Sequence, residues 1–383
     1  MKVNLIGPVY PYRGGIAHYN ASLAQALTHA GHEVHVISFR RQYPARLYPG
    51  KTDRDPSTEP LTFPADYWLD PLYPWTWFKT ARSIQHERPS LLILHWWTTF
   101  WSPAYTTLTR LVKNHVKVTY LIHNVLPHEA KAWDRWLARI TLSQGGSFIV
   151  QAPHERVRLR SLVPGAIQVF ETSFPAYEPF SREIVSKEEA RRRLSLPEGK
   201  PILLFFGIVR PYKGLYYLID ALAHVQEPCH LVIAGEFWDD VATYENQINA
   251  LGLNEKITLI NRYIPNEEAH LLFSAVNGLV APYTGGTQSA AAGLALGYGL
   301  PMIITERIAA GLPAVIRSGN DMIENENRNG YAQIVKAGDS QSLAQAIDGL
   351  LHILPSLKKF SHSPTKDWSR IIDVIEQIGQ GKS

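Results

Sequence analysis

The stretch PYTGGTQSAAAGLALGYGLPMII, from Pro282 to Ile304, predicts a glycine-broken loop, a helix of small residues, a glycine stop and a strand. A helix that opens behind such a loop presents free backbone amides and the positive end of its dipole to an anion. No Asp or Glu lies between Glu268 and Glu306, so this part of the chain does not repel a phosphate. We therefore expect a phosphate-bearing ligand at this helix.

Within that stretch, Thr287 and Ser289 are suitable residues to cap the helix. The small residues that follow also allow close backbone packing, so the sheet-facing side of the helix can be plain core. The residues expected to contact the ligand are those of the loop, namely Gly285, Gly286, Thr287, Gln288 and Ser289.

Outward from this stretch, strand signals alternate with helical ones along the whole chain, which predicts βαβ units and parallel sheets. An apolar stripe predicts a helix over 16–30, and a second helix starts at Ser186 and ends before Pro197. The predicted strands of the first half are 3–7, 33–38, 91–95, 117–123 and 147–150. Those of the second half are 202–207, 230–234, 257–259, 278–281 and 302–304.

Periodicity is lost over 172–186, which places a domain boundary there. The sequence therefore predicts an α/β protein with two Rossmann-like, doubly wound domains that face a cleft, over 1–175 and 186–355. A C-terminal helical segment, 356–383, follows, and the sequence does not say where it packs.

Composition supports a globular protein of two domains: 383 residues, 45% hydrophobic, 19% charged and a formal net charge of +4. Cys229 is the single cysteine, which excludes an internal disulfide and a cysteine-rich metal site. The short apolar N-terminus does not predict a signal peptide, and no run of 18 apolar residues predicts a membrane span. We expect a cytoplasmic protein that binds neither metal nor nucleic acid.

Two further loops follow predicted strands. In GPVYPYRGGIAHYN, Gly14 and Gly15 let the backbone approach a ligand, although a plain turn is equally compatible. The spacing does not match the dinucleotide pattern G-x-G-x-x-G, which disfavours a nicotinamide cofactor. In LFFGIVRPYKGLYYLIDAL, a strand ends at Gly207 and is followed by Arg210 and Lys213. These cations can grip a diphosphate, or they can be solvated surface charges.

In YLIHNVLPHE, His123 ends a predicted strand of the first half. A strand-end histidine is usually structural, but here it is expected to face the cleft opposite the two cations. His128 and Glu129 are candidate contacts to an acceptor substrate. Their spacing lacks the H-E-x-x-H pattern of zinc sites.

Four of these stretches, in this order, resemble the bacterial family 4 glycosyltransferases: GGIAHYNASLAQALTHAGHEV, HNVLPHE, FFGIVRPYKGL and PYTGGTQSAAAGLALGYGLPMIIT. The resemblance implies a GT-B fold with an N-terminal acceptor domain and a C-terminal donor domain. It also implies a retaining, metal-independent transfer of a sugar from a nucleotide-diphosphate donor to a hydroxyl, with no cofactor. By position, Gly14 and Gly15 line the donor diphosphate, His123 lies near the transferred sugar, and Arg210 and Lys213 neutralise the leaving diphosphate.

The chain departs from this family at two glutamates, whose positions hold Gly286 and Leu294. It resembles a subgroup with Thr-Gln-Ser in this loop, in which Gln288 can replace a contact to a sugar hydroxyl. The usual arginine position holds Ile208, and Arg210 points the same way if the chain is extended there. Glu236 is a further candidate to compensate for the missing glutamates.

The acceptor half contains six tryptophans within 34 residues, interspersed with Lys79, Arg82, Arg110 and Lys113. These are Trp68, Trp75, Trp77, Trp96, Trp97 and Trp101. Amphipathic rings with cations favour a membrane interface and a lipid-linked acceptor, with Trp96 and Trp97 as candidate acceptor contacts. The same rings can instead pack in the core or stack on sugar.

The resulting prediction is a glycosyltransferase of surface glycan synthesis that acts at the inner face of the membrane. Its partners would be a nucleotide sugar and a saccharide or lipid-linked acceptor. The alternative is a catalytically silent GT-B protein that binds a nucleotide sugar. The sequence shows no clear set of catalytic or cofactor-binding residues for an epimerase, a phosphorylase or a nicotinamide dehydrogenase.

Overall fold

The computed structural model describes residues 1–44, 48, 50–127, 130–166, 168–181, 183–313, 332–357 and 363–381. The chain divides into two compact units. The first unit contains Met1–Pro56, Pro60–Ser173 and Thr365–Ser383. The second unit contains Ser57–Glu59 and Phe174–Pro364.

The first unit contains a seven-stranded parallel sheet with helices between its strands. The strands are β1 Lys2–Ile6, β2 Glu33–Phe39, β3 Ala65–Leu69, β4 Leu91–Trp96, β5 Val118–Ile122, β6 Ser147–Val150 and β7 Gln168–Glu171. The helices are α1 Gly15–His29, α2 Pro74–Glu87, α3 Ser102–Val112, α4 Ala132–Leu142 and α5 Pro153–Leu162. The strand order is β3-β2-β1-β4-β5-β6-β7, and every pairing is parallel.

The second unit contains a six-stranded parallel sheet. Its strands are β8 Ile202–Phe206, β9 His230–Ala234, β10 Ile257–Ile260, β11 Gly278–Ala281, β12 Met302–Thr305 and β13 Ala332–Val335. The helices are α6 Lys187–Arg193, α7 Leu215–Leu222, α8 Val241–Ala250, α9 Asn266–Ala275, α10 Ala290–Gly297, α11 Glu306–Ala309 and α12 Ser340–Ile353. The strand order is β10-β9-β8-β11-β12-β13.

The last helix, α13 Pro364–Gln380, belongs to the first unit. The ring of Trp368 lies 5.1 Å from that of Tyr19, and Lys117 Nζ donates to Gly379 O at 2.8 Å. The sequence left the destination of this C-terminal segment open, and its helix packs on the unit in which the chain begins.

The α/β class and the two doubly wound sheets are confirmed, and all ten predicted strands are present. β4, β5 and β9 are buried at every position, because helices cover both faces of a parallel sheet. α6 begins after Ser186, whose Oγ accepts from Glu189 N at 3.2 Å, as the sequence predicts. The sequence did not predict β3, β7 and β13.

Each sheet has one point at which the strand order reverses. In the first sheet the chain moves outward from β1 to β3 and then returns to β4 beside β1. In the second sheet it moves from β8 to β10 and then returns to β11 beside β8. Ligands of doubly wound folds bind outside the carboxyl ends of the strands at such a switch point. The loops after β1, β4, β8 and β11 are therefore where a site is expected.

Candidate functional site

The two loops at the switch point of the second sheet are joined through one carbonyl. Tyr212, which follows β8, accepts at its carbonyl oxygen from Thr284 N at 2.8 Å and from Gly285 N at 3.2 Å. Thr284 Oγ1 donates to the same oxygen at 3.2 Å. The structure therefore brings together the predicted cationic loop and the predicted phosphate loop.

Both predicted cations of this loop contact aromatic rings. The guanidinium carbon of Arg210 lies 5.7 Å from the ring centre of Trp238 and 5.8 Å from that of Tyr212. Lys213 Nζ lies 5.5 Å from the ring centre of Tyr283. Burial holds the pKa of the Lys213 ammonium below its usual range, and the positive charge of Arg210 acts in the same direction. The sequence did not identify these three rings as supports for the cations.

Glycines allow the strand ends to approach each other closely. A Cβ on Gly235, directly after β9, would lie 2.1 Å from Gly207 O. Gly214 has a φ of 71°, and a Cβ there would lie 2.0 Å from Pro282 O. A Cβ at Gly207, in turn, would lie 3.1 Å from Lys213 Nζ. Side chains at these positions would separate the loops or displace the lysine, so the glycines set the spacing of the site.

The N-terminus of α10 is capped as the sequence predicts. Ser289 Oγ accepts from Ala292 N at 3.2 Å and lies 3.3 Å from the Tyr283 hydroxyl. Thr287 and Ser289 are buried, Gly286 has a φ of 91°, and the first turn contains no acidic residue. Gln288 Nε2 is buried and has no hydrogen-bond partner among the residues that the structure describes. The helix start thus keeps donors available and carries no negative charge.

The glycines inside α10 have a packing role. A Cβ on Gly297 would lie 1.8 Å from Tyr177 O, and one on Gly293 would lie 3.0 Å from Pro175 O. Tyr177 N donates to Gly293 O at 3.1 Å. The chain that enters the second unit therefore lies directly on this helix, which explains why residues this small occur far from the loop.

Glu236 is buried and follows Gly235 at the end of β9. Its carbonyl oxygen accepts from Val209 N at 2.9 Å, so its backbone lies beside the segment that leads to Arg210. Glu236, the predicted compensating residue, therefore lies at the carboxyl ends of the strands, as the two cations do.

In the first unit, Gly14 precedes α1 with a φ of 105°, a conformation that favours glycine. A Cβ built there would have no described atom within 4 Å. α1 begins at the exposed Gly15. The helix after β1 therefore starts at two residues without side chains.

His123 lies directly after β5, next to a histidine that was not predicted to belong to the site. His95 Nδ1, in β4, lies 3.0 Å from His123 Nε2. The ring of Tyr19 makes T-shaped contacts with both imidazoles, with its centroid 5.0 Å from that of His123 and 5.9 Å from that of His95. Burial lowers the pKa of His123 to about 3 and holds that of His95 well below its usual value. Both imidazoles are therefore neutral near pH 7.

The loop that carries His123 is fixed two residues later, at Val125. Glu155 Oε2 accepts from Val125 N at 2.6 Å, and Trp96 Nε1 donates to Val125 O at 3.1 Å. Burial raises the pKa of the Glu155 carboxyl. With 1% of its surface exposed, Trp96 is a core residue that holds this loop. This placement contradicts the predicted acceptor contact of Trp96.

The predicted tryptophan cluster is mostly core. Trp101 is also buried, and Trp68, Trp77 and Trp97 pack partly buried against the same core. Trp97 Nε1 donates to Tyr43 Oη at 2.8 Å. Trp75 alone among the six is largely exposed, at 63%. The core alternative thus holds for five of the six rings.

Two further tryptophans, Trp133 and Trp136 on α4, are 58% and 63% exposed and were not part of the predicted cluster. The predicted acceptor contacts His128 and Glu129 lie outside the described residues.

Comparison with protein families covers both units. A model described as Glycosyltransferase Family 4 matches residues 13–171, and one described as Glycosyl transferases group 1 matches residues 186–366. Between them they leave out only the junction between the two units and the chain ends. The chain belongs to glycosyltransferase family 4.

Solved structures give this glycosyltransferase the GT-B fold. HepE of Anabaena, in a complex with UDP, aligns with a TM-score of 0.69 at 15% identity, over 98% of this chain and 100% of that chain. Sucrose-phosphate synthase of Thermosynechococcus elongatus aligns with a TM-score of 0.64 at 18% identity, over 99% of this chain and 96% of that chain. At such identities the likeness extends to the fold alone.

A curated relative is the GDP-mannose:glycolipid 4-beta-D-mannosyltransferase of Xanthomonas campestris pv. campestris. It is 27% identical over 125 residues, which are 32% of this glycosyltransferase and 30% of the relative. The chain thus matches less than a third of that relative's length.

The described residues contain no group of three or more His, Cys, Asp or Glu side chains arranged to hold a metal ion. Within the same residues, every helix is too short or too polar to cross a membrane.

Proposed function

We propose that this glycosyltransferase moves a hexose from a nucleoside-diphosphate donor to a hydroxyl of a saccharide or lipid-linked saccharide in surface glycan synthesis. It does so with retention of configuration and without a metal ion. The observation that carries the proposal is the switch point of the second sheet, where Arg210, Lys213 and the acid-free N-terminus of α10 lie on loops joined through Tyr212 O. The UDP complex of HepE, which has the same fold, adds support.

The cations and helix amides stabilise the leaving diphosphate. Negative charge builds up on the leaving phosphate as the glycosidic bond breaks, and preorganised donors stabilise it more than they stabilise the ground state. Arg210 supplies a planar, bidentate grip and Lys213 a point charge. Gly14 and Gly15 bring a second set of amides to the diphosphate. Removal of one such group is expected to cost about 2–4 kcal/mol of transition-state stabilisation.

The remaining predicted residues position the sugar. His123 contacts the transferred sugar, and the buried amide nitrogen of Gln288 finds its acceptor in a sugar hydroxyl. Gly207 keeps space for Lys213. Glu236, whose backbone lies beside Val209, offers the donor a further polar contact. His128, Glu129 and Trp97 contact the acceptor.

The test combines donor binding with donor hydrolysis. Calorimetric titration with UDP and with GDP, followed by hydrolysis of UDP-glucose and GDP-mannose, is carried out on the wild type, Arg210→Ala and Lys213→Ala. The control is Lys256→Ala. Lys256 is exposed and lies directly before β10, at the amino ends of the strands, whereas Arg210 and Lys213 follow the carboxyl end of β8. We expect hydrolysis to fall about 30-fold or more in the first two variants and to stay unchanged in the control.

Other outcomes identify the alternatives. Binding of a nucleotide without hydrolysis or transfer of any sugar would favour the catalytically silent nucleotide-sugar-binding protein. If neither UDP nor GDP binds, or if Arg210→Ala and Lys213→Ala hydrolyse the donor as the wild type does, the proposed function is wrong.

We also propose that the first unit contacts the inner face of the membrane through one face of α2. Trp75, Phe78, Lys79 and Arg82 recur at the i, i+3, i+4 and i+7 spacing of one helix face, and all four are exposed. Aromatic rings among cations match an anionic lipid surface. A peripheral contact of this kind would give the enzyme access to a lipid-linked acceptor.

Vesicle flotation tests this surface. The wild type is expected to float with vesicles of phosphatidylglycerol and phosphatidylcholine, and less with pure phosphatidylcholine. The double variant Trp75→Ala/Phe78→Ala should lose the association. Trp133→Ala/Trp136→Ala, equally exposed on α4, serves as the matched control and should keep it. Absence of flotation in the wild type, or equal loss in both variants, would exclude the α2 face as the contact.

A further inference from the structure

Two buried histidines meet at the ends of neighbouring strands β4 and β5. Their rings are stacked, with centroids 5.2 Å apart and planes 24° apart, and His95 Nδ1 lies 3.0 Å from His123 Nε2. His95 is fully buried and has no role in the proposed transfer. A hydrogen bond to one ring nitrogen of a histidine decides which tautomer the ring adopts. The bond between the two rings therefore bears on which nitrogen of His123 carries its hydrogen.

The two rings share one hydrogen bond between neutral groups. Burial lowers the pKa of both, and the titratable ring packed against them, that of Tyr19, has its phenol pKa raised by burial. A neutral imidazole carries one N–H and one bare nitrogen. One ring must therefore donate and the other must accept.

The direction of this bond follows from the other nitrogen of His95. His95 Nε2 is buried, and none of the described residues provides it with a hydrogen-bond partner. If His95 accepted at Nδ1, its hydrogen would sit on Nε2 as a buried, unpaired donor. If His95 donates from Nδ1, only a lone pair on Nε2 stays unpaired. Buried N–H groups without an acceptor are the rarer case in folded proteins, which favours donation by His95.

The backbone around the pair fixes both rings. His123 N donates to Trp96 O at 2.8 Å, so the residue after β5 is tied to the end of β4. A Cβ on Gly7, at the end of β1, would lie 3.1 Å from His95 Cγ, so this glycine leaves room for the ring. The switch point of the first sheet thus leaves space for the His95 ring beside His123.

We propose that His95 is a positioning residue whose Nδ1–H donates to Nε2 of His123 and keeps His123 in the tautomer with its hydrogen on Nδ1. His123 then acts as a hydrogen-bond donor at Nδ1, and its Nε2 is not available as a base. The consequence for catalysis rests on the proposed function, in which His123 contacts the transferred sugar. The tautomer itself does not depend on that function.

The tautomer is read from two-bond proton–nitrogen correlation spectra of the full chain labelled with 15N-histidine at pH 7.5. The chain has 15 histidines, so the signals of His123 are assigned by their loss in His123→Asn. His95→Phe keeps a ring but removes the donor. His95→Asn places an amide N–H close to where Nδ1–H stands and serves as the conservative variant.

The wild type and His95→Asn are expected to show His123 with a protonated Nδ1 and a bare Nε2, and His95→Phe is expected to lose this signature. A hydrogen on Nε2 of His123 in the wild type would overturn the proposal, whether or not His95→Phe folds. An unchanged tautomer in a folded His95→Phe would also overturn it, because another group would then set the tautomer.

Hydrolysis of UDP-glucose and GDP-mannose tests the catalytic consequence. We expect kcat of His95→Phe to fall at least about 10-fold with little change in KM, and His95→Asn to recover most of it. A changed tautomer with an unchanged kcat would overturn the positioning role. Failure of the wild type to hydrolyse or bind any nucleotide sugar would instead count against the proposed function, while the spectra would still decide the tautomer.

Discussion

Acidification is expected to destabilise the first unit, because two imidazoles are buried there without charge. Burial lowers the pKa of His123 to about 3 and lowers that of His95 well below its usual value. In the unfolded chain a histidine titrates near 6.5. Between these values the unfolded state binds protons that the folded state excludes, so the free energy of unfolding falls as the pH falls.

The size of the effect can be worked out for His123. Its contribution is fully present above pH 6.5 and is lost progressively until the pH reaches about 3. Between pH 7.5 and pH 5 the loss amounts to about 2 kcal/mol. The folded-state pKa already lies well below 5, so this value depends almost entirely on the pKa of the unfolded chain. His95 acts in the same direction.

Urea unfolding followed by tryptophan fluorescence measures this loss. Nine of the ten tryptophans lie in the first unit, and only Trp238 lies in the second, so the signal follows the first unit. Between pH 7.5 and pH 5, His123→Asn should lose about 2 kcal/mol less than the wild type. His115→Asn, the same change at an exposed histidine of the first unit, should lose as much as the wild type.

One result would refute this reasoning. If the wild type and His123→Asn lose the same free energy of unfolding over this range, with equal dependence on urea, His123 takes up a proton in the folded state. His95 and His123 would then not both be neutral in the folded protein, and the proposed tautomer of His123, which depends on their neutrality, would be wrong.

Three further predictions concern the loop after β5, the helix α10 and the product. In urea unfolding, Glu155→Ala should lose about 1–3 kcal/mol of stability because Val125 N–H is left without an acceptor. The control Glu155→Gln retains an acceptor oxygen, so its stability should stay within about 1 kcal/mol of that of the wild type. Gly297→Ala should cost about 1–3 kcal/mol by calorimetry because its Cβ collides with Tyr177 O, and the control Gly349→Ala, inside α12, should be neutral or stabilising by up to about 1 kcal/mol. If the transfer retains configuration, the product formed from α-linked GDP-mannose is an α-mannoside by proton NMR; a β-mannoside, the linkage in the relative's name, would exclude retention.

The buried strands could be predicted from sequence, and the strands at the sheet edges largely could not. β4 and β9 each contain an apolar run of four residues because both of their faces are covered. The three strands that were missed, β3, β7 and β13, each lie at an edge of a sheet. Two positions of β3 and two of β7 are exposed, so these segments have no continuous apolar run. The missing signal has a physical cause, since an edge strand packs on one side only.

Some residues of the candidate site could also be predicted from the sequence and others could not. A loop at the end of a buried parallel strand has a known position in the fold, which made it possible to locate Gly207, Arg210 and Lys213. The role of Trp96 could not be predicted, because an aromatic residue gives the same pattern in a core as on a surface. His95 was missed since its partner lies 28 residues away in sequence. The histidine directly at the end of β4 was the one signal that could have identified it.

The surroundings of Lys213 explain how a phosphate site can lack its usual carboxylates. Its ammonium lies over the ring of Tyr283, and it makes no ion pair with any of the described residues. A carboxylate in that place would stabilise the free protein, but it would have to be displaced or repelled when a diphosphate binds. A neutral ring supports the cation without opposing the anion, since burial also raises the pKa of the Tyr283 phenol to about 12. Under the proposed function, Gly286 keeps a carboxylate side chain out of the loop that hydrogen-bonds to Tyr212 O. We therefore expect Gly286→Glu to weaken UDP or GDP binding rather than to restore a missing contact.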